Sequence, residues 1–253
     1  MKIDLSGKIA LVTGASGELG RVMARTLGLC GADVAVHYFR NERSAQEVAE
    51  EIRGMGVRAL AVQADVTEEQ SVAQLKNTVA DSLGPVNILV ANAVSQYAWK
   101  PLLEQSPEDY VSQFRSCVMQ SVLLAKAFVP EMIARKWGRI IAINTECAMQ
   151  TFPTQSAYVS GKRGLDGVMR VLAKEVGPHQ VTVNQVAPGW TISDRDRKSG
   201  TEHQESYESD VPLRRRGQDQ EIANAVAFLA SDLASFITGV YLPVCGGNVM
   251  PAI

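Results

Sequence analysis

The order of apolar and amphipathic segments is the feature that most limits how this chain can fold. Short apolar runs alternate with longer segments of helical period, beginning with KIALVT, DVAVHY and RALAVQ and continuing through VNILVA, GRIIAIN, VTVNQVA and GVYLPV. Strands that are separated by helices form βαβ units, in which the strands lie parallel and both faces of the sheet are covered. The sequence therefore predicts an α/β fold with a doubly wound parallel sheet of seven strands.

The chain is expected to form one domain over residues 1–253, because no linker rich in Pro, Gly or Ser interrupts the alternation. Residues 191–217 are the exception: they are polar, contain no strand-like run and follow a Pro-Gly turn. A loop of this length is usually functional or mobile. We interpret it as a lid over the mouth of the sheet, and the alternative is a disordered surface insertion.

Composition excludes several classes of protein. The hydrophobic fraction is 46% and the charged fraction 21%, as in globular proteins with a large core. A net charge of −2 gives no footprint for nucleic acid or an anionic membrane. The four cysteines contain no CxxC pair and the three histidines do not cluster near them, so no zinc site is predicted. Without a signal peptide or an apolar run approaching a membrane span, a cytoplasmic protein acting on small molecules is expected.

The stretch VTGASGELG joins the first predicted strand to a helix that begins at about Glu18. Gly14 and Gly20 have the spacing of a TGxxxGxG pattern. In this context the helix offers free N–H groups and a positive dipole end to a phosphate. Glu18, however, places a carboxylate where a further glycine is expected. The turn predicts a dinucleotide site of weakened affinity, and the alternative is a tight βα turn without a ligand.

The stretch SAYVSGK places Tyr158 and Lys162 four residues apart. On a helix this spacing brings both side chains to one face, where the ammonium favours the ionised phenol. A tyrosine needs such help to act as a base, because its unperturbed pKa is about 10. Alone, such a pair is more often a surface pair than part of an active site.

Several ordered motifs together are more specific. They include ADVT at Asp65, ILVANA at Asn92 and NQVAPG at Pro188 and Gly189. With the turn and the Tyr-Lys pair, they make the chain similar over essentially its whole length to single-domain short-chain dehydrogenases/reductases, close to the 3-oxoacyl-acyl carrier protein reductases. The resemblance implies a Rossmann-like fold, a nicotinamide cofactor and a ketone or secondary alcohol as substrate.

The resemblance also implies residue roles. Tyr158 would exchange a proton with the substrate oxygen, and Lys162 would lower the pKa of Tyr158 and bind the nicotinamide ribose. Thr145 stands at the position of the family's catalytic serine and keeps its hydroxyl, and Cys117 stands at that of the tetrad asparagine. The implied cofactor-binding residues are Gly14, Ser16, Glu18, Leu19, Arg40, Asp65, Val66, Asn92, Pro188, Gly189 and Thr191.

Four residues depart from the family pattern: Glu18, Ala91, Val94 and Cys117. Val94 is bulky where a bare backbone would approach the ribose, at a cost if φ is positive there. Cys117 lacks the amide that in the family helps to hold a water leading to the lysine, and a thiol is a poor replacement. These departures predict that nicotinamide binding is weakened, or absent.

Cofactor choice is predicted from the end of the second strand. VAVHYFRNER contains no acidic residue placed to accept the adenosine ribose hydroxyls, but it contains Arg40 and Arg43. We expect NADP(H) rather than NAD(H), with the arginines on the 2′-phosphate. The alternative is that both arginines are solvated residues at a helix start.

Three functions remain open from the sequence. The first is an NADP(H)-dependent oxidoreductase for a ketone or alcohol. The second is an acid/base enzyme, such as an isomerase, cyclase or dehydratase, that uses Tyr158, Lys162 and Thr145 without nicotinamide. The third is a catalytically idle scaffold.

Two further expectations concern partners. The helices over residues 117–130 and 156–176 are apolar on more than one face, and the resemblance implies that subunits bury them, in a homotetramer or else a dimer. A basic cluster could meet an acidic carrier protein or be a solvated face; its members are Arg135, Lys136, Arg163 and Arg170. Aromatic residues could line an apolar pocket or simply pack; they are Tyr97, Trp99, Phe152 and Trp190.

Overall fold

The structure is a computed structural model and describes residues 2–251. The strands are β1 (Ile9–Val12), β2 (Asp33–Tyr38), β3 (Ala59–Gln63), β4 (Ile88–Ala91), β5 (Gly138–Ile143), β6 (Val181–Pro188), β7 (Thr191–Ile192), β8 (Gly217–Gln218) and β9 (Tyr241–Val244). Seven of them form one parallel sheet in the order β3-β2-β1-β4-β5-β6-β9. The predicted α/β fold with a doubly wound, Rossmann-like sheet is confirmed. The strand order reverses between β1 and β4, where ligands of such sheets bind beyond the carboxyl ends of the strands.

Helices cover both faces of this sheet. They are α1 (Glu18–Leu29), α2 (Glu42–Arg53), α3 (Glu69–Ser82), α4 (Pro107–Gln113), α5 (Gln120–Arg135), α6 (Cys147–Gln150), α7 (Ser156–Val176), α8 (Asp194–Ser199), α9 (Glu205–Glu208) and α10 (Asp219–Ala230). A π-helical segment, Phe114–Met119, joins α4 to α5. One core cluster contains apolar side chains of α1, α2 and α10, and a second contains those of α3, α5 and α7.

The strands form where the sequence supplies continuous apolar runs that can be buried on two faces. All residues of β1, β4, β5 and β6 are buried. The helices form where apolar residues recur with helical period, and α2 begins where the Asn41 side chain accepts a hydrogen bond from Ser44 N–H. Burial on both faces therefore fixes the sheet, and the amphipathic helices fix its covering layers.

One helical run corrects the prediction that no segment approaches a membrane span. Pro107–Arg135, which comprises α4, the π-helical segment and α5, has 29 residues and is apolar enough by length and composition to cross a membrane. This is only weak evidence for a membrane-spanning helix, because the side chains of Leu124, Phe128 and Met132 are buried in the second core cluster. The run is apolar because it packs against the sheet.

The segment 191–217 is not the unstructured loop that its polarity predicted. It contains α8 and α9, and it begins with β7, which pairs with β8 at its far end. Arg216 holds it together: the fully buried guanidinium donates to the carbonyl groups of Thr191 and Thr201 and pairs with Asp196 at 3.0 Å. Sequence reasoning missed this order because its contacts are side chain to backbone and follow no periodic pattern.

Candidate active site

A cavity of about 1030 Å³ lies at the carboxyl ends of the strands, at the reversal of strand order. It brings together most of the residues that the sequence singled out. Its lining includes Gly14, Ser16, Glu18, Leu19, Arg40, Asp65, Val66, Asn92, Thr145, Tyr158, Lys162, Pro188, Gly189 and Thr191. Cys117 is not among the described residues that line it.

The turn after β1 has the geometry of an anion site. Gly14 has φ +65°, and a Cβ at Gly20 would overlap the Gly14 carbonyl, so neither position accepts a side chain. Gly17 precedes α1, and no described side chain caps this helix end. The first N–H groups of α1 therefore have no side-chain cap among the described residues.

His37, at the end of β2, supports this turn. It is buried, its Nδ1 accepts from Gly14 N–H at 3.0 Å, and its Nε2 lies 3.1 Å from the Ala64 carbonyl oxygen. With Nδ1 as acceptor, Nε2 carries the proton and donates to Ala64. Burial lowers the pKa of His37 to about 4, so the ring is neutral. Sequence reasoning missed His37, because a lone histidine in an apolar strand gives no signal of its partners.

Glu18 is hydrogen-bonded to the segment 191–217. Its carboxylate accepts from Arg21 at 2.7 Å and from the backbone N–H of Asp194, at the start of α8, at 2.9 Å. Arg21 also pairs with Asp194 at 2.6 Å. The carboxylate that replaces a family glycine is therefore paired with a guanidinium, and it joins the cofactor turn to α8.

The ends of β2 and β3 form the part of the cavity expected to hold adenosine. Asp65 accepts at Oδ1 from the Thr67 N–H and hydroxyl groups, which shapes the turn after β3. Arg40 lines the cavity beside Phe39. Arg43 is 90% exposed and pairs with Glu47 one turn along α2. Of the two predicted arginines, the structure places only Arg40 at the cavity.

The segment after β4 forms the floor of the cavity. Asn92 donates from its side chain to the Thr13 carbonyl at 2.8 Å, which joins the ends of β4 and β1. Val94 also lines the cavity, but its φ is not positive, so the position is unstrained. Ala91 is buried as the last residue of β4. The backbone strain that a positive φ would cause at Val94 is therefore absent, and Val94 contributes to the cavity wall.

Thr145, Tyr158 and Lys162 meet where β5 ends and α7 begins. All three residues line the large cavity, and Lys162 Nζ lies 5.7 Å from the Tyr158 ring centre. Lys162 is buried and donates to the Ile143 carbonyl at 2.6 Å. Burial raises the pKa of Tyr158 and lowers that of Lys162. The predicted lowering of the Tyr158 pKa is not seen, because loss of water around the phenol outweighs the other effects.

Cys117 lies behind this group, in the π-helical segment. It is buried, its Sγ is 4.0 Å from Gln113 Oε1, and burial raises the pKa of its thiol. Its neighbours Ser116 and Gln120 line the cavity. Ser116 Oγ and Gln120 Oε1 are buried and have no hydrogen-bond partner within residues 2–251. The unpartnered polar atoms described on this helix therefore belong to Ser116 and Gln120, two cavity-lining residues that the sequence analysis did not single out.

A second cavity of about 490 Å³ meets the first at Thr145 and Gly189. Its aromatic lining includes Trp99, Phe152 and Trp190. Trp99 stacks on Tyr158 with ring centres 6.2 Å apart. Tyr97 contributes differently: its hydroxyl accepts from the Tyr158 backbone N–H at 2.9 Å. Three of the four predicted aromatic residues thus line this cavity, and one of them, Trp99, also stacks on the Tyr158 ring.

The two cavities define a class of protein. The larger one has the glycine turn, the free helix end and unpartnered polar atoms that a dinucleotide requires, and its residues fit that ligand. The smaller one opens beside Thr145, and Tyr158 lies in the wall of the larger one. This is the arrangement of a nucleotide-dependent oxidoreductase on a Rossmann-like fold.

Comparison with known proteins agrees with this class. A family model described as Enoyl-(Acyl carrier protein) reductase matches residues 14–248. The 3-oxoacyl-[acyl-carrier-protein] reductase FabG of Pseudomonas aeruginosa is 36% identical over 248 residues, 98% of this chain and 100% of its own. FabG of Staphylococcus epidermidis is 35% identical over 245 residues, 96% of this chain and 99% of its own.

Solved structures give the same picture. A 7α-hydroxysteroid dehydrogenase in complex with NADH and 7-oxo glycochenodeoxycholic acid superposes with a TM-score of 0.89 at 32% identity, covering 99% of this chain and 97% of its own. The reductase LugOII, which catalyses a keto-reduction, gives a TM-score of 0.90 at 31% identity, covering 97% and 99%. The chain belongs to the short-chain dehydrogenase/reductase family. It is an oxidoreductase of ketones and alcohols, which favours the first of the three functions above.

Proposed function

We propose that the protein is an NADP(H)-dependent carbonyl reductase in which Tyr158 is the proton donor, aided by Thr145 and Lys162. The observation that carries the proposal is the meeting of the two cavities at Thr145, with Tyr158 and Lys162 in the wall of the larger one. A dinucleotide in the large cavity and a ketone in the small one would then meet beside two hydroxyl groups.

The chain's own residues account for binding of the cofactor. The free N–H groups at the start of α1 would bind the pyrophosphate, Asp65 and Val66 would contact adenine, and Asn92 would hold the turn beneath the ribose. Ser116 and Gln120, with buried unpartnered oxygen atoms, would take hydrogen bonds or waters at the nicotinamide end. When bound, the nicotinamide supplies a hydride to the ketone or accepts one from the alcohol.

The proton is supplied by the protein. Because burial raises the pKa of Tyr158, the phenol is neutral at pH 7 and can donate its proton to the carbonyl oxygen as hydride reaches the carbon. Thr145 would donate a hydrogen bond to the same oxygen and stabilise the developing charge. Lys162 would stabilise the phenolate that remains. Once its ammonium group leaves the Ile143 carbonyl, Lys162 would also bind the ribose.

The finer properties are also proposals. We infer a preference for NADP(H) from Arg40, a cytoplasmic location, one domain over residues 1–253 and a lid role for residues 191–217. The substrate is a small ketone or alcohol, free or carried on an acyl carrier protein. Arg135, Lys136, Arg163 and Arg170 are all exposed, and Arg170 pairs with Asp166, so any carrier would meet the other three more easily.

The direct test compares the parent with Tyr158→Phe, using NADPH titration and reduction of a ketone panel. Losing a general acid should lower kcat by about a hundredfold to ten-thousandfold and leave NADPH affinity nearly unchanged. Tyr110→Phe is the matched control, since Tyr110 donates or accepts at Ser156 Oγ, away from the cavities. Full turnover in Tyr158→Phe, or no binding of NADPH by the parent, would contradict the proposal.

A further inference from the structure

The charged residues that line the smaller cavity are acidic. Its wall carries aromatic rings and the side chains of Glu146, Gln150, Gln155 and Asp210. Within residues 2–251 its only charged lining residues are the two acids, and no cation lines it. A substrate with a carboxylate or phosphate near the reacting carbon would meet negative charge here, whereas a hydrogen-bond donor would find acceptors.

Glu146 is the most buried of these acceptors. It directly follows Thr145 and is only 3% exposed. Tyr207, from α9, donates to Glu146 Oε1 at 2.8 Å, and Asn248 donates to Oε2 at 3.1 Å. The Trp190 N–H also approaches this carboxylate, so one of its four acceptor positions remains for a further donor. Glu146 is thus held in place from both sides and is still able to accept.

Gln155 supplies an independent observation. It is 8% exposed, lines the same cavity and lies just before α7, which carries Tyr158. Its Oε1 is buried without a hydrogen-bond partner among residues 2–251. A buried acceptor without a partner is costly, so a rotation of the Gln155 side chain that turns Oε1 towards a ligand donor is favoured.

Building on the reductase function proposed above, we propose that Glu146 and Gln155 recognise a hydroxyl group close to the reacting carbonyl, so that the substrates are hydroxy ketones and the corresponding diols. Glu146 follows the carbonyl-polarising Thr145 in the chain, so the recognised group lies within a few bonds of the carbonyl carbon. The rings of Trp99, Phe152 and Trp190 provide flat apolar walls for a ring-shaped carbon frame.

A neutral hydroxyl fits better than an ammonium group. The charge of Glu146 is already shared by Tyr207 and Asn248, so little remains to offset the desolvation of a cation.

The test measures kcat/KM, at saturating NADPH, for cyclohexanone and its 2-hydroxy, 2-amino and 2-carboxylate derivatives. The parent should prefer the hydroxy ketone to cyclohexanone by at least about tenfold, the effect of a hydrogen bond to a charged group, and should reject the carboxylate. Glu146→Gln should lower the hydroxyl preference at least fivefold and raise activity on the carboxylate. The ratio of kcat/KM for two substrates of the same variant does not change when a substitution merely lowers the fraction of active enzyme.

Glu205→Gln is the matched control: it removes the same charge from an exposed residue of α9 outside the cavity, and it should keep the parental ratios. Should Glu146→Gln fail to fold, Gln155→Met tests the second acceptor and should lower the same preference. Equal kcat/KM for cyclohexanone and the hydroxy ketone, an unchanged ratio in the variants, or a preference for the amine would overturn this inference alone. No reduction of any member would count against the reductase function itself.

Discussion

At the scale of single residues, the two arginines after β2 have different expected roles: one is expected to select the cofactor, and the other is a surface charge. Arg40 lines the large cavity, whereas Arg43 pairs with Glu47 in solvent. A charge-assisted contact to a 2′-phosphate contributes about 1.5 to 3 kcal/mol. Arg40→Ala should therefore weaken NADPH binding about tenfold to a hundredfold and change NADH binding little. Fluorescence titration of both cofactors measures this, with Arg43→Ala as the control. Equal weakening of both cofactors by Arg40→Ala would contradict the assignment.

His37 makes the same site sensitive to acid. Burial lowers its folded-state pKa to about 4, below the ordinary value of 6.5 that the unfolded chain retains, so the unfolded chain binds more protons between these values. The contribution of neutral His37 is complete above pH 6.5 and is lost as the pH falls towards 4. From pH 7 to pH 4.5 the free energy of unfolding should fall by about 2 kcal/mol on account of this one group.

Urea unfolding of the parent and of His37→Gln at the two pH values isolates this effect. Glutamine can accept from Gly14 N–H but does not titrate, so the variant should lack that part of the acid loss. His179→Gln is the control, since His179 lies in a turn at the surface. The assignment fails if His37→Gln loses as much stability on acidification as the parent.

At the scale of elements, Glu18 couples α1 to α8. It accepts from Arg21 and from the N–H of Asp194, so its charge is balanced before any phosphate arrives. Removing the charge alone, in Glu18→Gln, should change NADPH affinity by less than about fivefold, because the exposed pair is screened. Arg21→Met leaves the Glu18 carboxylate without a guanidinium partner beside the phosphate site, whereas Asp194 keeps Arg197, and it should weaken NADPH binding at least tenfold. Titrations at low and high salt check this, since the Arg21→Met defect should shrink with salt. A large gain in affinity from Glu18→Gln would show repulsion instead.

The sequence predicted the elements well and their side-chain partners poorly, for physical reasons. Periodicity reports burial, so the seven strands and the placement of Tyr158 beside Lys162 could be predicted. The hydrogen bond from the Asp194 backbone N–H to the Glu18 carboxylate joins residues far apart in the chain, and nothing local encodes it. The same holds for Glu146, whose partners Tyr207 and Asn248 come from two distant segments. Polar contacts of this kind depend on the completed fold.

Burial also alters the properties that the sequence predicted for Tyr158 and Cys117. The spacing of Tyr158 and Lys162 predicted a lowered phenol pKa, but spacing carries no information on desolvation, which dominates here. Cys117 was expected to weaken a water path. It is buried, and a Cβ on Gly161 would lie 3.3 Å from its Sγ, so its packing depends on the glycine that faces it.

At the scale of the whole molecule, exposed apolar side chains indicate where copies of the chain meet. Phe114, on the π-helical segment, is 51% exposed, and Val171, on α7, is 57% exposed. These two elements pack together, and they belong to the helices for which subunit contacts were predicted. Phe236, before β9, is fully exposed and marks a second surface, as a tetramer with two kinds of interface requires. We therefore expect a homotetramer.

The test of this assembly is light scattering at micromolar concentration, which should give the mass of four chains. Val171→Asp places a charge in an interface that has to bury about 1,600 Å² to be stable, and it should reduce the mass to that of a dimer or monomer. Leu29→Asp is the matched control: Leu29 ends α1 and is 67% exposed, but it lies outside the helices expected to meet, so its variant should keep the tetramer. A monomer in the parent would remove the prediction, and dissociation by Leu29→Asp but not by Val171→Asp would move the interface to α1.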